Sequence, residues 1–139
     1  MSYIPDKLKE ETRFRANNRC EYCRLSQAGQ EATFHVDHVI PLSENGETAV
    51  ENLALACVSC SLFKSAKLSS PDPMTDQLVR LFNPRQDRWN EHFSWDGVIV
   101  LGKTAIGRAT IEALKMNRPL ILAIRREESL LGRHPMKSN

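Results

Sequence analysis

Two pairs of cysteines, Cys20-Glu-Tyr-Cys23 and Cys57-Val-Ser-Cys60, stand 33 residues apart in a chain of 139. Each C-x-x-C turn aims two thiolates at one point, and two such turns supply the four sulfur ligands of a tetrahedral zinc ion. A thioredoxin-like redox pair uses a single C-x-x-C in a different setting and leaves the second pair unexplained. Four sulfurs leave no coordination position open, so a metal held by Cys20, Cys23, Cys57 and Cys60 is architectural. The stretch HVDHVIPLSENG at 35–46 lies between the pairs. A histidine with a pKa of about 6.5 can take a proton from water at neutral pH. A carboxylate beside it can hold a hard cation such as Mg²⁺. Alternation along a strand puts His35 and Asp37 on one face and His38 on the other. A solvated strand end would explain the same trio.

The elements that must carry these groups follow from pattern and punctuation. A helix starts at Pro5 or Asp6 and runs to about Ala16, with Asn17-Asn18 as its stop. Residues 25–32 read as a loop, and TFHVDHVI at 33–40 as a strand ended by Pro41, with a turn at Glu44-Asn45-Gly46. Asn52-Leu-Ala-Leu-Ala56 is a short apolar run into the second cysteine pair, and SLFKSAK opens a helix broken at Ser69-Ser70-Pro71. Pro71 to about Arg88 reads as a polar linker. HFSW and VIVL flank Asp96-Gly97, a two-residue hairpin signal. Thr104 caps a helix ending near Asn117, and Pro119 opens a second one stopped by Gly132.

The order is thus cysteine pair, strand with Asp-His, polar loop with an Asn, second cysteine pair, helix. Through CEYC at 20–23, VDHVIPLSENG at 36–46 and NLALACVSCSLFKSAK at 52–67, the chain resembles the HNH endonucleases, the zinc-containing branch of the ββα-metal (His-Me finger) nucleases. The resemblance implies an α+β fold. Its parts are a ββα-metal core with a four-cysteine structural zinc site, an N-terminal helix, and a C-terminal hairpin plus two helices. It implies a core over 1–70 and an extension over 71–139 packed on it as one domain. Carried over by position, His38 is the general base and Asp37 the ligand of a catalytic Mg²⁺ or Mn²⁺. Asn52 is the central Asn that ties the loop and helps orient the histidine. The third motif position, usually His or Asn, falls on Ser61, a poorer cation ligand. His35, two residues from Asp37, or His92, on the hairpin, could support the site. His35 as a surface residue and His92 in an aromatic cluster with Trp89, Phe93 and Trp95 are the alternatives. Lys64 and Lys67, a turn apart, could contact phosphate or line a solvated face.

In composition, 41% apolar and 26% charged residues are ordinary for a soluble globular protein. No window approaches the roughly 18–20 apolar residues of a membrane span, and the N-terminus lacks a signal-like apolar run, so a cytoplasmic address is the default. The net charge of +2 is split unevenly, −3 over residues 1–63 and +5 over 64–139. A basic second half could meet phosphates. The expected activity is hydrolysis of DNA phosphodiester bonds. The other readings are a zinc-stabilised nucleic-acid-binding module that cuts weakly or not at all, and a zinc-organised interaction domain. With no second DNA-reading module in view, intrinsic specificity would be low, or specificity would come from a homodimer or a protein partner.

Overall fold

The computed structural model describes residues 3–136. The chain forms two compact units. The first runs to Ala66 and takes in Asn83–Gln86; the second comprises Lys67–Phe82 and continues from Asp87.

In the first unit, helix α1 spans Asp6–Arg15. Asp6 sits in its first turn and Arg13 and Arg15 in its last, the arrangement that complements the helix dipole. Asn17 and Asn18, both in the left-handed region (φ 54° and 55°), end it as expected. Strand β1, His35–His38, pairs antiparallel with β2, Leu53–Ala56, in the register His35 opposite Ala56 and His38 opposite Leu53. All four residues of β2 are buried, because α1 and α2 (Val58–Lys64) both pack on it. Fully burying a side chain such as Leu53 or Leu55 stabilises the fold by about 1.5–3 kcal/mol. Arg15 fastens α1 to this sheet by donating to the carbonyls of Val50 and Leu53 (2.7 and 2.6 Å).

In the second unit, β3 (Ser69–Pro71) pairs with β4 (Leu78–Arg80), and β5 (Phe93–Asp96) with β6 (Ile99–Gly102). The one-turn helix α3 (Trp89–His92) precedes the second hairpin, and α4 (Ala105–Ala113) and α5 (Pro119–Leu130) follow it. The hairpin at Asp96-Gly97 forms with Asp96 opposite Ile99, so its loop is Gly97-Val98; Gly97, at φ +62°, supplies the left-handed residue. Thr104 caps α4 by accepting from the Gly107 N–H (3.0 Å).

The linker expected from Pro71 to Arg88 is instead a hairpin whose turn is built by Asp72. This fully buried carboxylate accepts from the Met74 N–H (3.1 Å) and takes two bonds from Arg108 (3.0 and 2.8 Å). Those bonds hold its pKa down at about 2. Leu68 and Ser69 face Leu81 and Arg80 across this hairpin. Among the described residues no helix is long and apolar enough to cross a membrane.

Candidate active site

The scaffold of the site is the cysteine quartet. In the first turn the Cys20 N–H donates to Leu25 O (2.9 Å), the Cys23 N–H to Cys20 Sγ (3.4 Å), and Arg24 takes φ 68° to close the turn. The second turn repeats the N–H to sulfur bond, from Cys60 to Cys57 Sγ (3.4 Å), at the head of α2. All four thiols are buried and their sulfurs lie within 4.8 Å of one another. Cys23 and Cys57 sulfurs are 3.7 Å apart, against about 3.8 Å for the edge of a tetrahedron with zinc–sulfur bonds of about 2.3 Å. The set fits zinc. Four thiols cannot all ionise unaided in so dry a pocket. Bonds from Cys20, Cys57 and Cys60 hold the Cys23 thiol well below its usual range, while Cys57 and Cys60 are pushed up by the sulfurs around them. A divalent cation removes that conflict.

This quartet ties the first cysteine turn to the head of α2, which packs on both β1 and β2. Asp37, His38 and Ser61 line one cleft of about 350 Å³, with Pro41 and Leu42 on its far side. Asn52 closes the loop between the strands. Its Oδ1 accepts from the Ile40 N–H, and its Nδ2 donates to the carbonyls of Ile40 and Glu47, all at 2.9 Å. Gly46 lies under this knot: a Cβ there would sit 1.7 Å from Ile40 O and 2.9 Å from the Asn52 amide nitrogen. Among the described residues the cysteine quartet is the one cluster of three or more His, Cys, Asp or Glu ligand groups. Of the groups lining the cleft, Asp37 is the carboxylate that could hold a hard cation.

Several expected site residues stand differently from their sequence roles. Asn52 ties the loop, but the side chain touching His38 is Thr48, whose Oγ1 lies 2.8 Å from His38 Nε2. Nothing in the spacing singled out Thr48, because a threonine in a polar turn carries no pattern of its own. His35 Nδ1 lies 2.9 Å from Ser61 Oγ, so the residue at the third motif position is engaged by a histidine from β1. Lys64 is not presented to a phosphate: it is 5% exposed and donates to Val39 O (3.0 Å). Burial lowers the pKa of its ammonium, and the charge of Asp37 opposes that shift. It ties α2 to the end of β1. His92 belongs to the second unit, where it is buried, bonded through Nδ1 to Thr104 Oγ1 (2.7 Å) and edge-on to Phe82. The aromatic cluster holds, with Trp89 5.0 Å from Phe93 and 5.2 Å from Trp95 between ring centroids. Lys67 is exposed, at the start of the second unit.

Residues 20–67, from the first cysteine pair through α2, match the model of the HNH endonuclease family. The chain carries an HNH domain. A curated protein, Septu protein PtuB of Bacillus thuringiensis, is 25% identical over 105 residues, covering 74% of this chain and 38% of that protein. The chain thus spans well under half the length of that relative. No solved structure matches. Within the HNH domain, the four cysteines, Asp37, His38, Asn52 and Ser61 all fall inside the matched segment, and α1 lies outside it.

Proposed function

We propose that the protein is a metal-dependent endonuclease that hydrolyses DNA phosphodiester bonds. The observation that carries this reading is that Asp37 and His38 line one cleft, over a cysteine-built scaffold, inside the segment matching the HNH endonucleases. His38 acts as general base. Thr48 Oγ1, 2.8 Å from Nε2, holds the ring in place; in the tautomer where it accepts from Nε2–H, the Nδ1 lone pair is left to take a proton from water. Asp37 holds the divalent cation, Mg²⁺ or Mn²⁺, which when bound neutralises charge at the scissile phosphate and the departing 3′ oxygen. Asn52 is a positioning residue, since it fixes the loop that carries Thr48. His35, bonded through Nδ1 to Ser61, keeps Nε2 for the cation or its waters in place of the usual third ligand.

A second reading, a nucleic-acid-binding module that cuts weakly, is favoured by that same contact, because the Ser61 hydroxyl is already engaged by His35. Plasmid nicking with Mg²⁺ or Mn²⁺ separates the two. His38→Ala and Asp37→Ala are expected to lower cleavage by about 10²–10⁴-fold with zinc content unchanged. Undiminished cleavage by His38→Ala overturns the mechanism, and a wild type that binds DNA without nicking it favours the second reading.

A further inference from the structure

The cleft is continuous, through shared side chains, with a larger groove on the α1 side of the first unit. The groove has a volume of about 860 Å³ and runs onto His35, Asp37 and His38. Its floor is apolar, formed by Ile4 and Phe34, both buried. Its wall is α1, which turns Lys9 and Arg13 towards it. These two are four residues apart, so they share one helix face and are separated by about 6 Å along the axis. Among the described residues neither forms an ion pair, and Arg13 reaches over the floor to donate to Phe34 O at 3.5 Å. At the mouth stands Tyr3, an aromatic residue left 80% exposed.

We propose that this groove holds an unpaired DNA strand leading into the site, a reading that rests on the proposed endonuclease function. Lys9 and Arg13 hold successive non-scissile phosphates, and Tyr3 stacks on a base. A cationic wall above an apolar floor suits an unpaired strand, whose base faces are open to stacking. A duplex keeps those faces stacked on one another and leaves Tyr3 none to stack on. The groove thereby makes α1, outside the family match, part of substrate recognition.

The test is fluorescence anisotropy with a labelled single-stranded oligonucleotide and the corresponding duplex, over a salt series and without added Mg²⁺. The wild type is expected to bind the single strand more tightly. Lys9→Ala and Arg13→Ala should each weaken binding and flatten the plot of log K against log salt by about 0.7. Lys7→Ala removes a charge from an exposed α1 position outside the groove and should leave both unchanged. Tyr3→Ala should weaken single-strand binding on the order of tenfold and spare duplex binding. Wild-type affinity and slope in Lys9→Ala and Arg13→Ala, or equal losses in Lys7→Ala, overturn the groove, as does a preference for duplex. Nicking that persists alongside such a result leaves the endonuclease reading intact. Conversely, groove-dependent binding without nicking under any divalent cation overturns that reading and keeps the groove.

Discussion

Asn52→Ala isolates the knot that shapes the cleft. Three bonds of 2.9 Å are lost, two of them to Ile40, which is half-buried, and one to the carbonyl of Glu47, which is exposed and rehydrates. A net hydrogen bond contributes about 1 kcal/mol, so the two to Ile40 set an expected loss of about 2 kcal/mol. At about 3 °C per kcal/mol for a chain of this size, the midpoint should fall by about 6 °C. Urea unfolding in excess zinc, followed by circular dichroism, measures the loss. Amide exchange at Ile40 measures its cause, because that N–H is the one bonded to Asn52 Oδ1. Asn52→Asp sharpens the test: it keeps the acceptor for Ile40 but turns an oxygen without a proton on two carbonyls. That repulsion raises the carboxyl's folded pKa, so this group's contribution to stability is fully present below its unfolded pKa and is lost as pH rises through the folded one. At neutral pH the variant should be less stable than Asn52→Ala. Unchanged stability in Asn52→Ala with Ile40 still protected, or an Asn52→Asp variant sturdier than Asn52→Ala at neutral pH, would refute the reasoning.

Gly46→Ala drives a Cβ against Ile40 O and should destabilise the same loop by about 3 kcal/mol, read in the same urea titration. Thr48→Val removes the hydroxyl facing His38 at an exposed position; nicking should fall while stability stays within about 0.5 kcal/mol, and Thr48→Ser should restore cleavage. Cys57→Ser should lose stoichiometric zinc and cooperative unfolding of the first unit, a result that a chelator reproduces on the wild type. The Asp72 carboxyl, held at about 2 by its bonds from Arg108, contributes stability that is complete above its ordinary value of 3.8 and is lost as pH falls through 2. Fluorescence of Trp89 and Trp95 in an acid titration should show this step, and Asp72→Asn should abolish it.

What could be foreseen from the chain was what depends on neighbours in sequence or on stringent chemistry. Four cysteines in two C-x-x-C turns admit few arrangements, and Asn17-Asn18 and Asp96-Gly97 mark turns that those residue types favour locally. The β3–β4 hairpin was hidden because its turn is held by Arg108, 36 residues from Asp72. Lys64, one turn from Lys67, reads equally as a phosphate contact or as part of a solvated face, and only the tertiary fold brings Val39 O within its reach. His35 and Ser61 were each singled out separately; their pairing over 26 residues is a property of the β1–α2 junction. Thr48, Lys9 and Arg13 gave no signal, since polar residues in a turn and basic residues on a helix are common on any surface.

Glu21 carries a consequence for where the motif can be cut out of its chain. Its N–H donates to Leu55 O and its carboxylate accepts from the Leu55 N–H, both at 2.8 Å, so the first cysteine turn is riveted to β2. The carboxylate is 5% exposed, and its counter-charge is Arg85, which returns to the first unit with Asn83–Gln86. A fragment ending at residue 70 holds every family signature and lacks that arginine. It leaves the buried Glu21 carboxylate without its ion-pair partner, with only the charges of Arg15 and Arg24 acting on it, and should be less stable for that loss. The portable cassette is therefore longer than its fingerprint and has to extend past Gln86.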